Sequence, residues 1–209
     1  MTQYGRDALP KAYGVDLGAD IKLTPRLLFH TALWRLDLAQ EFVYVGDEGI
    51  VEPSGKTKRT GIDFSFRQQL NEWLFLDGDV SLSKPRSQEE TKGQNYIPLA
   101  PTFTSIGGVS FRKSNGLNGS LRYRYMGDRA ANEDHTVVAR GYFIADAVVN
   151  YTRPGFEIGL AIENLFNRSW KEAQFDTESR LKNETASVSE IHFTPGAPFS
   201  WRVTVTKYF

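Results

Sequence analysis

Apolar and polar residues alternate with a period of two along most of this 209-residue chain. Between positions 156 and 162 every even residue is large and apolar, and Glu157, Gly159 and Ala161 stand between them. The C-terminal stretch repeats the pattern with Trp201, Val203, Val205 and Phe209. A period of two places successive side chains on opposite faces of a β-strand. The chain is therefore predicted to form strands with one apolar and one polar face, without long amphipathic helices.

The alternation predicts nine strands, and the connections between them differ in a regular way. The strands are expected at residues 11–23, 27–45, 56–67, 73–84, 99–112, 117–129, 139–151, 156–171 and 198–209. Short connections rich in turn residues, such as 113–116, alternate strictly with long, charged ones, such as 85–98. In an antiparallel meander, this arrangement gathers the tight turns at one end and the long loops at the other. Outer-membrane β-barrels have this layout.

The length of the predicted strands separates two fold classes. Most of them have 12 or more residues, whereas strands in soluble sheets average about five or six, and about nine to eleven tilted residues cross a bilayer. The expected fold is all-β, an antiparallel up-and-down transmembrane β-barrel wall of about nine strands. The alternative is a soluble β-sheet ligand-binding module, in which each apolar face packs against a second sheet.

Composition excludes several other classes of protein. The 25 Lys and Arg residues balance 25 Asp and Glu residues, so the chain lacks the basic excess of a nucleic-acid-binding protein. No apolar run reaches the roughly 18 residues of a membrane helix, and the mean hydropathy is −0.41. Cysteine is absent, which excludes disulfide frameworks and thiol catalysis. We expect no cofactor and no nucleic-acid partner.

Charged residues of the predicted strands share the polar face. They are Asp77, Asp79, Arg122, Arg124, Arg140, Asp146, Glu157, Glu163 and Arg202. Asp77 and Asp79 could hold a cation or serve acid–base chemistry, but a charge network inside a barrel explains them without further ligands. If the last two strands pair so that residue numbers sum to about 365, Glu163 lies opposite Arg202, a favourable cross-strand pair.

Three features of the C-terminal part resemble a TonB-dependent outer-membrane receptor. The segment Glu163–Asn167 matches the Asn-Leu-Phe-Asn motif on the penultimate strand of that family, followed here by Arg168 and Trp170. A long final loop then leads through residues 195–198 into the last strand. That strand ends in an aromatic residue, like the signal that the barrel-assembly machinery reads. The residues of this predicted signal are Trp201, Val203, Val205 and Phe209.

The resemblance covers nearly the whole chain and implies both a place and a role. Members of this family sit in the outer membrane of Gram-negative bacteria and form a 22-stranded barrel behind an N-terminal plug domain that contacts TonB. Bacterial single-chain barrels have even strand numbers, so residues 1–209 would be the C-terminal segment of a longer receptor, or the product of a truncated or mis-started reading frame. Expected partners are outer-membrane lipid, the barrel-assembly machinery through the last strand, and TonB only through a plug outside these residues.

The resemblance implies transport of a scarce ligand, typically an iron–siderophore complex, rather than catalysis. Candidate ligand-binding residues are Arg124, Arg140, Tyr142 and His135, near the long-loop ends of the strands. Cationic side chains there would attract an anionic iron chelate. No pair of the three histidines has metal-ligand spacing, and no Gly-x-Ser-x-Gly nucleophile motif occurs. Another type of outer-membrane barrel remains an alternative.

Overall fold

The computed structural model describes residues 10–45, 50–53 and 55–209, and these residues form fifteen strands. The strands are β1 (Ala12–Thr24), β2 (Leu27–Leu38), β3 (Phe42–Val45), β4 (Ile50–Pro53), β5 (Thr57–Gln69), β6 (Leu74–Ser87), β7 (Phe103–Arg112), β8 (Leu117–Met126), β9 (Arg129–Ala130), β10 (Val138–Ala139), β11 (Tyr142–Arg153), β12 (Phe156–Glu163), β13 (Lys171–Ser179), β14 (Val188–Pro195) and β15 (Ser200–Lys207).

Nine of these strands form one antiparallel sheet in chain order, as the alternation predicted. The order is β1-β2-β5-β6-β7-β8-β11-β12-β15. Turns of two to four residues join alternate pairs at one edge of the sheet, which we call the turn end. Long loops join the other pairs at the opposite edge, which we call the loop end. These loops span residues 39–56, 88–102, 127–141 and 164–199, so the predicted alternation of short and long connections is confirmed.

Three of the long loops contain a hairpin that the sequence pattern did not resolve. β3 pairs with β4, β9 with β10, and β13 with β14, each as a separate two-stranded sheet. The predicted strand 27–45 is therefore wrong beyond Leu38, because residues 42–45 pair with 50–53 instead of continuing β2. The prediction that residues 172–197 form only a loop is likewise wrong, since most of them belong to strands β13 and β14.

Left-handed backbone positions explain two further errors in the strand boundaries. The predicted strand 156–171 ends at Glu163, because Asn164 and Asn167 have φ values of +49° and +47° and turn the chain out of the sheet. The predicted strand at 99–112 begins only at Phe103, and Leu99 has a φ of +60°. Such angles are incompatible with an extended strand.

One face of the nine-stranded sheet, here called the apolar face, is hydrophobic from edge to edge. A single register row runs through Leu17, Leu33, Ile62, Leu82 and Phe103 on five consecutive strands. The first four of these side chains are exposed. In the described part of the chain no second sheet covers this face, because the other sheets are two-stranded hairpins in the loops. A sandwich would bury such a face, so the alternative of a soluble sandwich is wrong.

The opposite face, here called the polar face, carries ion pairs between strands, some adjacent and some separated by one strand. Asp77 bonds Arg122, and Asp79 accepts a 2.8 Å hydrogen bond from Arg67. Each aspartate thus has a cationic partner, and no group of three or more possible metal-ligating side chains occurs among the residues that the structure describes. The charge-network interpretation of Asp77 and Asp79 is confirmed. The described residues also contain no helix long and apolar enough to cross a membrane.

The register of the last strand pair differs from the prediction by two residues. Glu163 lies opposite Ser200, and Arg202 lies opposite Ala161. The predicted direct pairing of Glu163 with Arg202 is therefore wrong, although both side chains do fall on the polar face. A shift of two residues preserves the face of every side chain, which is why the pattern alone could not distinguish the two registers.

Aromatic residues on the apolar face form two rows, one near each end of the sheet. At the loop end Phe103 packs against Tyr125, with ring centroids 5.3 Å apart, and Phe143 lies near Tyr123 on the neighbouring strand. At the turn end the rings of Tyr151 and Phe156 are 6.2 Å apart. Aliphatic side chains fill the space between the rows. Two aromatic girdles around an apolar band are typical of membrane-spanning barrels.

Candidate functional site

The loops at the loop end pack against one another instead of extending separately. The Leu99 amide donates to the Ala130 carbonyl at 2.8 Å, and the Tyr96 amide donates to Glu133 at 3.0 Å. These bonds join loop 88–102 to loop 127–141. The buried apolar side chains of these two loops are small or aliphatic: Ile97, Ala100, Ala130, Ala131 and Ala139. The two loops therefore share a small apolar core, which gives their polar residues defined positions.

Gln174 joins the last loop to loop 127–141. Its side chain is fully buried. The Gln174 amide nitrogen donates to the Arg140 carbonyl at 2.7 Å, and its amide oxygen accepts from the Arg140 backbone N–H at 2.9 Å. One side chain thus satisfies both backbone groups of Arg140, in the way a neighbouring strand would. Because the side chain is buried, loss of these bonds would leave polar groups unpaired away from water, which costs free energy.

Asn164 closes the base of the last loop with four hydrogen bonds. Its backbone N–H donates to Asp146 at 2.9 Å. Its side-chain nitrogen donates to the carbonyls of Arg168 and Ala197, and its side-chain oxygen accepts from the Arg168 N–H. The side chain is buried, and asparagine tolerates the positive φ found here. The Asn-Leu-Phe-Asn segment is therefore a loop-closing turn just beyond β12, not part of the strand.

Trp170 brings two of the predicted ligand-binding residues together. Its indole N–H donates to the Ala197 carbonyl at 3.0 Å. Its ring lies over Gly196, where a Cβ atom would come within 2.0 Å of the indole, so only glycine leaves it room. The ring contacts Tyr142 at a centroid distance of 4.8 Å, and the guanidinium of Arg124 lies 6.0 Å from the ring centroid. Arg124 and Tyr142 thus both lie beside one anchored aromatic ring.

The four predicted residues occupy two separate places. Arg124 also pairs with Asp146 at 3.2 Å, in a cleft of about 410 Å³ on the polar face. Arg140 lies just before β11, in the loop rather than in the predicted strand 139–151, and its guanidinium pairs with Asp128 at 3.0 Å. His135 is apart from these residues, exposed in loop 127–141. The structure therefore places Arg124 and Tyr142 beside Trp170, Arg140 beside Gln174 and Asp128, and His135 elsewhere.

His135 contacts a different aromatic residue. Its ring contacts Tyr96 of the neighbouring loop in a tilted arrangement, with centroids 4.8 Å apart, and its φ of +59° places it in a tight turn. Beside it, Thr136 donates both its hydroxyl and its backbone N–H to Asp134. These two bonds lower the pKa of Asp134. This turn is thus held by local hydrogen bonds and forms the rim of the loop cluster.

Arg129 is a cation at this site that sequence reasoning missed. Only 8% of it is exposed, and its Nη1 has no hydrogen-bond partner within the described ranges. Burial lowers the pKa of Arg129 from its ordinary value. The neighbouring Asp128 accepts from the Gly141 N–H and from Arg140, and these bonds lower the pKa of that carboxyl. Arg129 belongs to the two-residue strand β9, which is too short to show an alternation that would reveal its burial.

Three residues of the predicted assembly signal lie on the face where the alternation placed them. Trp201, Val203 and Val205 are exposed on the apolar face of β15, and Phe209 at the chain end is fully exposed. The far edge of β15 has no strand partner among the residues that the structure describes. Recognition of this strand by the assembly machinery stays a prediction.

An antiparallel wall with one apolar face, a charged opposite face, aromatic girdles and packed loops at one end defines an outer-membrane β-barrel. The family model "TonB dependent receptor-like, beta-barrel" matches residues 5–165. The chain therefore belongs to the family of TonB-dependent receptor β-barrels, which lie in the outer membrane of Gram-negative bacteria and are transporters, not enzymes. The resemblance inferred from the sequence is confirmed.

Solved receptor structures share this fold over almost the whole chain. The ferric-catecholate import receptor Fiu from E. coli K12 matches 96% of this chain at 20% identity, with a TM-score of 0.69. The ferric yersiniabactin uptake receptor FyuA from Yersinia pestis matches 96% at 14% identity and a TM-score of 0.70, and the ferric citrate transporter FecA matches 95% at 15% and 0.71. The chain spans only 28%, 30% and 31% of those three proteins.

Proposed function

We propose that this chain forms the C-terminal wall of a TonB-dependent transport receptor whose other strands and plug lie outside these 209 residues. The open sheet supports this proposal. Within the described part of the chain, β1 and β15 each have one strand neighbour, and an unpaired strand edge is not tolerated in lipid. In a closed barrel, further strands pair with both edges. The apolar face then contacts lipid, the polar face lines the lumen, and contact with TonB is left to the plug.

The proposed ligand is an anionic ferric chelate that enters at the loop end. The observation that carries this proposal is the set of arginines at the loop end: Arg124 lies beside Trp170, and Arg129 and Arg140 lie in loop 127–141. Arg124 and Arg140 each have one carboxylate partner, whereas no ion pair involves the buried Arg129 in the described ranges. The site therefore has an excess of positive charge beside aromatic rings, which suits a flat, anionic, aromatic-bearing chelate.

Similar receptors support iron as the transported metal but also offer an alternative. Fiu, FyuA and FecA are described as receptors or transporters of ferric catecholate, ferric yersiniabactin and ferric citrate. The copper transporter OprC has the same fold at 12% identity and a TM-score of 0.67. Identity this low reflects the fold and leaves the ligand open. Copper is therefore the second candidate to be tested.

The test uses the full-length receptor that contains this chain, purified in detergent. Ferric tricatecholate, ferric citrate and Cu²⁺ are titrated separately while tryptophan fluorescence is recorded, because Trp170 lies at the proposed site. Replacing Arg124 and Arg140 with glutamine should weaken binding of one ferric chelate by roughly tenfold or more, since charge-assisted bonds are lost. Arg153→Gln at the turn end serves as the control and should leave binding unchanged.

Two results would reject this proposal. Unchanged affinity of the double variant for every ferric chelate would remove these arginines from the binding site. Binding of Cu²⁺ with no response to either ferric chelate would instead favour copper transport. His135→Ala is measured alongside, because His135 lies on Tyr96 and away from Trp170. An effect of that variant equal to that of the arginine pair would place the ligand across both loop clusters.

A further inference from the structure

A group of cations lies on the apolar face at the loop end, where charged residues are not expected. On β5 the apolar-face positions run through Phe64 and Ile62 and then, beyond Thr60, reach Lys58. On β6 the corresponding positions run through Val80 and Leu82 and then reach Lys84 and Arg86. The aliphatic band therefore ends two to four residues before these cations, which is about 7–13 Å along the strand.

These cations line one cleft without a carboxylate. The cleft has a volume of about 510 Å³, and its charged lining residues are Lys58, Lys84, Arg86 and Lys92. Arg86 is held in place, because its guanidinium lies 4.1 Å from the centroid of the Tyr96 ring and donates to the Pro85 carbonyl. Among the residues that the structure describes, none of the four cations forms an ion pair within 4.0 Å. We call these four residues the outer basic cluster.

Without a bound anion, the strand register makes this cluster electrostatically unfavourable. Lys58 lies directly opposite Arg86, and like charges in such a cross-strand pair repel each other. The nearest carboxylate in register is Asp37, opposite Lys58 on the other side. Asp37 already accepts two hydrogen bonds from Arg35, at 2.6 and 3.0 Å. The outer basic cluster therefore keeps a net positive charge that an external anion can neutralise.

The cluster is also local to one part of the wall. On the following strands the apolar face carries aromatic residues in the rows of the last aliphatic positions: Phe103 on β7 lies opposite Leu82, and the row of Val80 continues through Ser105 to Tyr125 on β8 and Phe143 on β11. The cations lie beyond these rows, toward the loop end. Aromatic side chains of this kind lie at the boundary between acyl chains and headgroups. The cations on β5 and β6 thus stand at headgroup level, on the lipid side of the wall and away from the lumen.

We propose that the outer basic cluster binds the phosphate groups of a phosphorylated glycolipid, lipopolysaccharide, in the outer leaflet of the membrane. Clustered Lys and Arg next to a membrane-embedded surface recognise anionic headgroups, and the aliphatic band directly below offers contact to the acyl chains. A soluble anion would gain nothing from a site on this face, because ligands for transport pass on the polar side. The proposal is separate from the ferric-chelate site and uses none of its residues.

The experiment measures lipopolysaccharide bound to the full-length receptor by native mass spectrometry, in detergent with added lipopolysaccharide. The triple variant Lys58→Gln, Lys84→Gln and Arg86→Gln should bind the lipid about 100-fold more weakly, at roughly fivefold per charge removed. The matched control replaces Lys113, Arg153 and Lys207 with glutamine. These three cations lie at the turn end of the sheet. The control therefore removes the same amount of charge from the other side of the membrane.

Three outcomes would overturn the proposal. Retention of the lipid by the triple variant would show that the cluster does not hold it. Equal binding of dephosphorylated lipopolysaccharide would exclude phosphate recognition. Complete release of the lipid by inorganic phosphate would indicate a site for soluble anions. If the triple variant fails the heat-modifiability test for a folded barrel, Lys58→Gln and Lys84→Gln are tested singly, each with an expected fivefold loss. Ferric-chelate binding is titrated in parallel, so a failure of the transport proposal remains distinguishable.

Discussion

Removing the side chain of Asn164 should open the base of the last loop. The substitution Asn164→Ala deletes three side-chain hydrogen bonds, with lengths of 2.8, 3.1 and 2.9 Å. At about 1 kcal/mol for each bond, the loss is about 3 kcal/mol. Alanine at a φ of +49° adds about 1 kcal/mol, because its Cβ is strained in the left-handed region. The total cost to closing this loop is about 4 kcal/mol.

Hydrogen exchange at Gly196 reports this opening without direct involvement of Asn164. The Gly196 N–H donates to the Trp170 carbonyl at 2.9 Å, so its protection depends on the closed loop alone. A cost of about 4 kcal/mol predicts exchange roughly 1,000-fold faster in Asn164→Ala than in the unmodified receptor. Asn164→Gly loses the same bonds without the backbone strain, so its exchange should be about fivefold slower than that of the alanine variant.

Asn183→Ala is the matched control, because Asn183 is an exposed asparagine in the same loop. It should leave the exchange of Gly196 as it is in the unmodified receptor. If Gly196 stays protected in Asn164→Ala, the loop is closed by contacts other than these bonds. If the glycine variant exchanges faster than the alanine variant, the left-handed backbone of Asn164 imposes no strain on alanine.

Three further predictions concern the loops and the faces of the sheet. Gln174→Leu should speed exchange of the Arg140 amide by about 30-fold, for two lost bonds of about 1 kcal/mol each; an unchanged rate would contradict the bridge. Leu160→Arg on the apolar face should destabilise the folded barrel by about 2–4 kcal/mol in denaturant titrations, and Thr204→Arg on the polar face should cost clearly less. The pKa of Asp128 is lowered in the folded state, so its stabilisation of loop 127–141 is present above the ordinary value of 3.8 and is lost as the pH falls through the folded value. Protection factors in that loop, in which the intrinsic pH dependence of amide exchange is divided out, should fall on acidification from about pH 5 to about pH 2, and Asp128→Asn should remove much of this change.

The period-two pattern was sufficient to predict all nine strands of the sheet and the faces of their side chains. Both follow from local alternation, because a face is defined by position along one strand. The register between β12 and β15 could not be predicted in the same way, since a shift of two residues leaves the faces unchanged. The turn at Asn164 was not predicted either, because the left-handed backbone of an asparagine leaves no mark in the pattern of apolar and polar residues.

The candidate site was predictable only where its residues lie on or next to strands. Arg124 and Tyr142 were found because the alternation places them on the polar face near the loop end. Arg129 and Gln174 were missed, since their burial results from contacts between loops that are far apart in the sequence. Their side-chain types are ordinary for exposed loops, and no local signal distinguishes them from solvated residues.

The two aromatic rows also set a hydrophobic thickness for the surrounding bilayer. Phe143 and Tyr151 belong to the two rows and are eight residues apart on β11, which is about 26 Å along the strand. With a strand tilt of about 40°, the height of the band is about 20 Å. This value is smaller than the roughly 30 Å hydrocarbon core of an average bilayer, and it suits the thinner outer membrane. In a thicker membrane the lipids around such a wall would have to compress, so hydrophobic mismatch favours the retention of this protein in the outer membrane.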